Sequence, residues 1–397
     1  MAHTLSLGMK NSMKILTADI GTGTQDIFLY DSKLDIENGF KLILPSPTMR
    51  IFHRIKEATQ RKDPIVLTGK IMGGGPSTWA VESHIKAGLP VYATHQAAKT
   101  IYDDLEKVEE LGVTLVSDDE VRKLPDTVLR MEFKDFDYEE TIQIFRQFGV
   151  SLDDLEAVAV AVFDHGNAPP DVSDRQFRFD YLDKRIRKRN DLRSFAFNSD
   201  EIPTSMTRMQ AAADSCVNAD VPVIVMDTAP AAVLGATYDH RVNERANILI
   251  ANIGNFHTLA FRLNSGAIDG VFEHHTGLLK TEDLESLLLS LAHSDLTHEE
   301  VFKHHGHGAL IYVSNPYPLD SEGFNLVITG PRRNMIPEKD YSSTDLRPYY
   351  AVPFGDMMIT GCFGLLAATA EKIPEMKEPI MRSLSGSTKI DTTPWDK

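Results

Sequence analysis

One stretch decides how this chain folds: Thr17-Ala18-Asp19-Ile20-Gly21-Thr22-Gly23-Thr24-Gln25-Asp26-Ile27-Phe28-Leu29-Tyr30. Apolar residues lead into a turn of glycines and threonines and lead out of it again, which predicts two strands joined as a hairpin. Glycine permits positive φ and leaves the backbone uncovered, so the turn exposes N–H groups beside hydroxyls. Such a nest of donors suits phosphate oxygens. We therefore predict a phosphate-binding hairpin at residues 21–25.

Asp19 stands at the entry to this turn. Magnesium takes few protein carboxylates and keeps much of its water shell, so Asp19 is a candidate to hold Mg²⁺ through water. The alternative is a hairpin that carries no ligand, because short motifs often match by chance. A similar device later in the chain favours the phosphate interpretation.

The composition limits the classes of protein that fit. The chain has 397 residues, 42% hydrophobic and 25% charged, which is typical of a globular protein with one large or two smaller domains. Its net charge of −16 disfavours nucleic acid and anionic membranes as partners. Only Cys216 and Cys362 are present, so neither a disulfide framework nor a thiolate cluster is expected.

The sequence also predicts a cytoplasmic protein. No apolar run reaches the ~18 residues that are needed to span a bilayer. The first fourteen residues lack the apolar core of a signal peptide.

After the hairpin, strand and helix patterns alternate between residues 51 and 110. A short apolar strand at residues 64–68 runs into the glycine loop at residues 69–77, and a helix follows. This geometry places backbone amides against an anion, but a tight structural turn is an equal alternative. The alternation predicts an α/β domain.

The longest apolar strand, residues 157–163, ends at Asp164 and His165. Because ligands of open α/β sheets bind beyond the carboxyl ends of strands, Asp164 is a candidate general base and His165 a candidate substrate contact. The alternative for Asp164 is an Asx-turn that ends the strand. Arg175 and Arg178 follow, and they are candidates to clamp a substrate carboxylate or phosphate, or else are surface charges.

A second device resembles the first hairpin. Residues 248–261 again form an apolar strand, a polar glycine turn and an apolar strand. A third strand at residues 326–329 runs into Gly330. Two hairpins fit for phosphate in successive halves predict two related domains with a ligand cleft between them.

The histidines permit a metal site as an alternative. His274, His275, His304, His305 and His307 are candidate ligands together with Glu273, because imidazole and carboxylate suit zinc or iron. Adjacent histidines on a strand point to opposite faces, so at most one of each adjacent pair ligates in an extended segment. The other interpretation is that Glu273 and His274 or His275 line a substrate pocket.

The order of these motifs resembles the superfamily of actin, the heat-shock chaperone ATPases and the sugar kinases. Residues 19–24 look like its first phosphate motif, residues 252–258 like its second, and residues 329–331 like its adenosine motif. The small-residue segments 227–236 and 355–366 are similar to its two hinge helices. The resemblance implies ATP and Mg²⁺ as cofactors.

Within that superfamily, residues 272–277, 306–309 and 355–358 resemble an uncharacterised family whose members are often labelled pyruvate formate-lyase activating enzyme. A radical activating enzyme needs three closely spaced cysteines for an iron–sulfur cluster. This chain has two cysteines, 146 positions apart, so we reject that label for it.

The resemblance predicts an α/β fold of two actin-like, ribonuclease H-like lobes with a nucleotide cleft between them. We place the first lobe, with an inserted α/β segment, at residues 13–226, the second lobe with a C-terminal helix at 227–372, and a flexible tail at 373–397. The predicted nucleotide-binding residues are Gly21, Thr22, Gly23, Thr24, Gln25, Asn252, Gly254, Asn255, His257, Thr258 and Gly330.

The first functional hypothesis is an ATP-binding phosphotransferase or ATPase acting on a small molecule. Asn252 stands where many superfamily ATPases have an aspartate, and asparagine cannot act as a base. This departure motivates a second hypothesis, a nucleotide-gated regulator that acts on a protein partner with little catalysis. The third is a metal-dependent hydrolase built on the histidines.

Overall fold

In the computed structural model, which describes residues 12–319, 323–338 and 345–386, the chain forms three β-sheets. Most of the segment at residues 1–14 and residues 387–397 of the predicted tail lie outside the described residues. The strands in chain order are β1 (Lys14–Ile20), β2 (Thr24–Asp31), β3 (Phe40–Pro45), β4 (Ile65–Gly69), β5 (Val91–Ala93), β6 (Val113–Leu115), β7 (Leu129–Phe133), β8 (Leu155–Val162), β9 (Ala196–Asn198), β10 (Val223–Asp227), β11 (Asn247–Ile253), β12 (His257–Asn264), β13 (Ala267–His275), β14 (Gly308–Ile311), β15 (Leu326–Thr329) and β16 (Pro348–Tyr350).

Helices cover the faces of these sheets. The α-helices in chain order are α1 (Pro47–Arg61), α2 (Pro76–Lys86), α3 (His95–Ala98), α4 (Leu105–Leu111), α5 (Asp118–Lys123), α6 (Tyr138–Gln147), α7 (Asp174–Lys188), α8 (Thr207–Asp214), α9 (Thr228–Ala236), α10 (His240–Asn243), α11 (Thr281–His293), α12 (His298–Lys303), α13 (Thr360–Lys372) and α14 (Lys377–Leu384). None of them is both long and apolar enough to cross a bilayer.

The first lobe is built on the sheet β3-β2-β1-β8-β10-β9. Strands β1, β2 and β3 form an antiparallel meander, whereas β8 pairs parallel to β1 and β10 parallel to β8. Residues 157–162 of β8 are fully buried, as expected for a strand covered on both faces. Because β1, β8 and β10 are parallel, the loops that follow these three strands lie at the same edge of the sheet, together with the candidate residues on them.

The second lobe repeats this topology. Its sheet is β14-β13-β12-β11-β15-β16, in which β11, β12 and β13 form the antiparallel meander and β15 and β16 run parallel to β11. We set aside the edge strands β9 and β14 and the inserted sheet, and number the remaining five strands of each lobe in chain order. In both lobes these strands then lie side by side in the order third, second, first, fourth, fifth. The predicted pair of actin-like, ribonuclease H-like lobes is thereby confirmed.

A small domain is inserted in the first lobe between β3 and α6. Its sheet, β6-β5-β4-β7, is entirely parallel, as the alternation of strands and helices predicts. It has a hydrophobic core of its own, in which Ile55 of α1, Leu67 of β4 and Val81 of α2 are fully buried. The insertion is therefore an α/β unit attached to one side of the first lobe.

Two helices, α9 and α13, cross where the lobes join. A Cβ atom at Gly235 would overlap the carbonyl of Thr360, and one at Gly364 would overlap the carbonyl of Ala231. The helices are in backbone contact, which only glycine permits at these two positions. The two small-residue segments that resemble hinge helices thus form a close helix crossing.

The C-terminal region differs from the predicted domain bounds. Helix α13 packs against β1 and β8 of the first lobe, so the helix that we placed in the second lobe returns to the first. Helix α14 occupies part of the segment that we expected to be a flexible tail. Its Ile380 and Leu384 are buried, and the Ser383 hydroxyl lies 2.9 Å from the Tyr30 hydroxyl of β2. The sequence prediction missed the amphipathic pattern of this short helix.

Candidate functional site: a cleft between two glycine hairpins

The turns of the two lobes have the same hydrogen bond. In the first, the Gly21 N–H donates to the Thr24 carbonyl at 2.9 Å, and in the second the Gly254 N–H donates to the His257 carbonyl at 3.0 Å. The flanking pairs Ile20–Gln25 and Ile253–Thr258 set equal registers. Each strand pair therefore ends in a four-residue loop, and Asn252 occupies the position that Asp19 has in the first lobe.

These two loops face each other. A Cβ atom at Gly23 would lie 2.8 Å from Nδ2 of Asn255, so the tips are in contact at one point. Behind this point a cleft opens between the two loops, with about 890 Å³ of empty space when the solvent at its mouth is included. The two loops are neither far apart nor buried against side chains.

Most of the predicted nucleotide-binding residues line this cleft. They are Gly21, Thr22, Gly23, Thr24, Asn252, Gly254, Asn255, His257 and Gly330, together with Asp19. Gln25 and Thr258 do not line it. The Gln25 amide donates to the Pro45 carbonyl at 3.2 Å, and the Thr258 hydroxyl lies 2.9 Å from that of Thr276; both side chains are buried. That the lining residues bind nucleotide stays a prediction.

Gly330 forms the third wall of the cleft at the end of β15. Its φ is +99°, and a Cβ atom there would lie 2.5 Å from the Ile253 carbonyl oxygen and 2.6 Å from Oδ1 of Asn252. The turn therefore needs glycine both for its backbone conformation and for its close approach to the second hairpin.

Two buried carboxylates lie at the base of the first hairpin. Asp19 and Asp26 are directly opposite each other on β1 and β2, and both line the cleft. Burial raises the pKa of Asp19 to about 6, with a further contribution from Asp227, while the Thr228 hydroxyl that donates to Asp19 at 2.5 Å opposes the shift. Burial and then the charge of Asp19 raise the pKa of Asp26 to about 8.

Asp26 also has a buried oxygen, Oδ1, without a hydrogen-bond partner among the described residues. An unpaired buried carboxylate oxygen costs free energy, so its retention calls for a ligand or a proton at this position. The two carboxylates with their open oxygen are a donor set that suits a hard divalent cation.

Replacing Asp26 by asparagine is expected to stabilise the protein increasingly as the pH rises, in the presence of EDTA. An aspartate in the unfolded chain titrates near ~3.9, whereas the folded pKa is about 8, so the folded protein holds the extra proton across this window. The stability linked to that proton is present at low pH and lost as the pH rises through the folded pKa. Asparagine removes this loss.

Urea unfolding at pH 4.5 and pH 8.5 measures the effect. We expect the difference in unfolding free energy between Asp26→Asn and the wild type to grow by about 4 kcal/mol between these two pH values. The exposed Asp171→Asn serves as the control, for which the difference should be flat. A flat difference for Asp26→Asn as well would show that Asp26 is not buried as a protonated acid.

Asp164 is not placed as a general base. Its two oxygens accept hydrogen bonds from the backbone N–H groups of Gly166 at 2.8 Å and Met209 at 2.9 Å. It does not line the cleft. The bond from Gly166 forms the Asx-turn that was the alternative for Asp164, and the bond from Met209 caps an N–H in the first turn of α8. These contacts favour the Asx-turn alternative over our catalytic assignment.

The two arginines predicted as a substrate clamp both have partners within the protein. Arg175 donates from Nη1 to the carbonyls of Phe302 at 3.1 Å and Gly306 at 2.6 Å, and so joins α7 to the second lobe. Arg178 is fully buried and pairs with Asp227 of the first lobe and Glu273 of the second. Burial lowers the pKa of Arg178, but the two carboxylates outweigh it and the pKa is raised. Both arginines serve contacts between lobes.

Glu273 and His274 also differ from the prediction. Glu273 is the partner of Arg178 and is buried, and burial raises its pKa to about 7. His274 contacts two backbone carbonyls, from Nδ1 to that of His275 at 3.1 Å and from Nε2 to that of His304 at 3.0 Å. Neither side chain lines the cleft, so neither is placed to bind a substrate there.

A different set of histidines comes together. His165 after β8, His257 on β12 and His307 before β14 each have one ring nitrogen within 4.8 Å of the others. Burial first, then Arg178 and Arg208, hold the pKa of His165 at about 3, and burial lowers the pKa of His257 and His307 as well. Of the five histidines predicted as metal ligands, only His307 belongs to this group, because the group is assembled by the sheets rather than by sequence neighbours.

The glycine loop of the inserted domain is structural. The Gly73 N–H donates to Asp135 at 3.0 Å, and its carbonyl accepts from the hydroxyls of Thr48 and Ser77. The following helix places Trp79 on Phe256, with 5.6 Å between ring centroids. The loop thus corresponds to the tight-turn alternative, and the insertion covers the tip of the second hairpin.

Sequence reasoning missed several residues of the cleft: Asp26, Phe163, Arg208, Thr228 and Gly361. Asp26 could have been predicted from the sequence, because the four-residue loop of a hairpin fixes its register and puts Asp26 opposite Asp19. The remaining residues are brought to the cleft by contacts between distant segments. For example, Arg208 lies there because it pairs with Asp135, 73 positions earlier. No local pattern signals such contacts.

Two lobes of one topology, glycine hairpins that face each other across a cleft, and two helices that cross beneath it define the actin-like class of α/β proteins. Within that class, the family model described as "Putative pyruvate format-lyase activating enzyme (DUF1786)" matches residues 72–335, and the chain belongs to this family. No curated protein matches the chain.

Several solved structures are similar to the protein. They include the ethanolamine utilization protein EutJ from Carboxydothermus hydrogenoformans, with 9% identity, 88% of each chain covered and a TM-score of 0.31. MreB5 of Spiroplasma citri bound to ADP has 11% identity over 91% of this chain and 98% of its own, with a TM-score of 0.33. The ROK hexokinase from Thermus thermophilus has 11% identity and a TM-score of 0.24 over 64% of this chain. The chain spans 48% of that hexokinase and 38% of a ROK family transcriptional regulator.

The activity in the family description conflicts with the cysteines. Cys216 and Cys362 are both buried, and Sγ of Cys362 donates to the Asp26 carbonyl at 3.1 Å inside the first lobe. Burial raises the pKa of both thiols, so thiolate ligands are disfavoured. Two buried thiols cannot hold the cluster of a radical activating enzyme.

Proposed function

We propose that the protein binds a Mg²⁺–nucleoside triphosphate, ATP in the first instance, in the cleft between the lobes and acts on its terminal phosphoryl group. The observation that carries the proposal is the pair of glycine loops with the same hydrogen bond, which face each other above a buried carboxylate pair. Backbone donors converging from two sides suit a polyphosphate.

The residues of the cleft have distinct roles in this proposal. The backbones of residues 21–24 and 254–257 cradle phosphate oxygens, and the turn at Gly330 borders the part of the cleft that is left for the nucleoside. Asp19 and Asp26 fit Mg²⁺, because they are paired carboxylates and Oδ1 of Asp26 has no partner in the described part of the chain. Mg²⁺ would neutralise phosphate charge when bound.

The position of Asn252 supports a slow enzyme or a gate. Asn252 occupies in the second lobe the place of Asp19 in the first, and it is uncharged. With Asp164 engaged by two backbone N–H groups, no carboxylate of the second hairpin or of the β8 end is free to take a proton from a nucleophile. A nucleotide-gated regulator with slow hydrolysis is therefore the second candidate. A single-turnover assay with labelled ATP separates the two, since bound but uncleaved nucleotide favours the gate.

Nucleotide binding is tested by calorimetry of the full chain with Mg-ATP. We expect a dissociation constant below 1 mM, and Asp19→Asn should weaken binding by at least ~10-fold, which is about 1.4 kcal/mol. Gly361→Ala should weaken it similarly, because a Cβ atom there would overlap Oδ2 of Asp19.

The matched control is Gly277→Ala, since a Cβ atom at Gly277 has no atom within 4 Å. Wild-type affinity is expected for this variant. If the folded wild type gives no heat at millimolar Mg-ATP, the proposed function is refuted. If Asp19→Asn binds as tightly as the wild type, the assignment of the carboxylate pair to Mg²⁺ is wrong.

A further inference from the structure

We propose that His165, His257 and His307 form a binding site for a divalent first-row transition metal ion, with Zn²⁺ as the best match, at the end of the cleft where the two lobes meet. The site is separate from the carboxylate pair that we assign to Mg²⁺. It joins the lobes, because His165 follows β8 of the first lobe whereas His257 and His307 belong to the second.

His307 is the strongest evidence for the site. Its side chain is fully buried, and neither ring nitrogen makes a hydrogen bond within the described residues. An imidazole in that state loses its hydrogen bonds with water and gains no hydrogen bond in return, which is unfavourable. A metal ion on one nitrogen and a proton on the other would satisfy the ring.

The surroundings of His307 indicate which ring nitrogen carries the proton and which one binds the metal. Nδ1 lies 3.5 Å from Oε1 of Glu273, an oxygen that likewise has no hydrogen-bond partner in the described part of the chain. The other oxygen of Glu273 is held by Arg178 at 3.2 Å. A small rotation would let Nδ1–H donate to Glu273, which leaves Nε2 as the ligand. This carboxylate–histidine arrangement commonly orients histidines at metal sites.

The other two ligands are held by ring contacts. The His257 ring stacks on Phe163 at 4.1 Å between centroids with 7° between planes, and the His165 ring stacks on His307 at 5.4 Å and 22°. Metal–nitrogen bonds of about 2.0–2.1 Å require the three nitrogens to approach more closely than 4.8 Å, so the proposal includes a rotation of these side chains when the metal binds.

The donor set selects the class of metal. Three neutral imidazoles suit Zn²⁺ and its neighbours, whereas Mg²⁺ and Ca²⁺ prefer oxygen ligands. Since His257 and Phe163 also line the cleft, a fourth coordination position would be reached from there. Three protein ligands with one open position is the arrangement of zinc sites that bind a water or a substrate.

Zinc titration of the chelator-treated full chain, in competition with a chromophoric chelator and without nucleotide, tests the site. We expect one equivalent of Zn²⁺ to bind and the thermal unfolding midpoint to rise with zinc. His307→Gln and His165→Gln should each weaken zinc binding by at least ~100-fold, since each removes one of the three ligands. Co²⁺ in place of Zn²⁺ should give the visible absorption of a four- or five-coordinate ion.

The controls are His274→Gln and His240→Gln. Both ring nitrogens of His274 lie against backbone carbonyls, and His240 is exposed, so both variants should bind zinc as the wild type does. Circular dichroism establishes that each variant is folded, and the half-buried His165 provides a variant with the smaller risk to the core. The proposal is overturned if the folded wild type binds less than one tenth of an equivalent, or if both ligand variants bind as tightly as the wild type.

The outcome does not depend on the proposed nucleotide function. Zinc binding without nucleotide and Mg-ATP binding after chelator treatment are measured separately. If zinc does not bind, the assignment of the carboxylate pair and the two loops to Mg-ATP is unaffected. If Mg-ATP does not bind, the assignment of the three histidines to zinc is unaffected.

Discussion

Replacing Gly235 or Gly364 by alanine is expected to destabilise the protein by about 3 kcal/mol or more. The added Cβ atom would overlap the backbone carbonyl of Thr360 in the first case and of Ala231 in the second. A backbone carbonyl inside a helix cannot rotate away as a side chain does, so α9 and α13 must separate.

Two opposing contributions decide whether these substitutions stabilise or destabilise the protein. Alanine in a helix interior is about 1 kcal/mol better than glycine by intrinsic propensity. Against this, the two helices must move apart, and packing is then lost along the whole crossing. Since α13 is buried almost all round and also contacts β1 and β8, its movement disturbs those contacts too. The second contribution is the larger, since close-packed interiors do not absorb an added methylene without shifts in their neighbours.

Urea or thermal unfolding of the two variants measures this effect, with Gly277→Ala as the matched control. That variant adds the same methyl group where nothing lies within 4 Å, so we expect its stability to change by less than ~0.5 kcal/mol. Wild-type stability in both Gly235→Ala and Gly364→Ala would mean that the helices do not touch as described. Because both helices join the lobes, weakened Mg-ATP binding should accompany the loss of stability.

The features predicted correctly from sequence are those that depend on neighbouring residues. The two hairpins, the strand at residues 157–163 and the parallel sheet of the insertion follow from apolar periodicity and from glycines at turns. The equal strand order of the lobes follows from the order of motifs. Placement of Gly21, Gly254 and Gly330 around one cleft follows in turn, because loops at equivalent sheet edges meet when the lobes face each other.

The incorrect or missed features depend on distant contacts. Asp164 looks like a base because it ends a buried strand, yet backbone N–H groups of another segment take both its oxygens. From the sequence, Arg178 is either a substrate clamp or a surface charge, yet its carboxylate partners come 49 and 95 positions later. The metal-site histidines are 50 or more positions apart along the chain, so their spacing carries no signal.

The second large effect is expected from Arg178→Met. Removal of the guanidinium leaves Asp227 and Glu273 buried without their partner, and breaking a buried pair from one side typically costs about 3–5 kcal/mol. Methionine keeps much of the side-chain volume, so lost packing is a minor part of the effect. Chemical unfolding at pH 8, where carboxylates are driven to ionise, should give the largest loss.

Two comparisons distinguish this structural role from the substrate clamp that the sequence suggested. Arg175→Met removes two hydrogen bonds to carbonyls on a half-buried side chain, and it should cost only about 1–2 kcal/mol. The triple variant Arg178→Met, Asp227→Asn, Glu273→Gln removes all three charges together and should recover a substantial part of the lost stability, because residues in one network are not additive. A clamp predicts the reverse: Arg178→Met would keep wild-type stability and lose only affinity for an anionic ligand, and the triple variant would recover nothing.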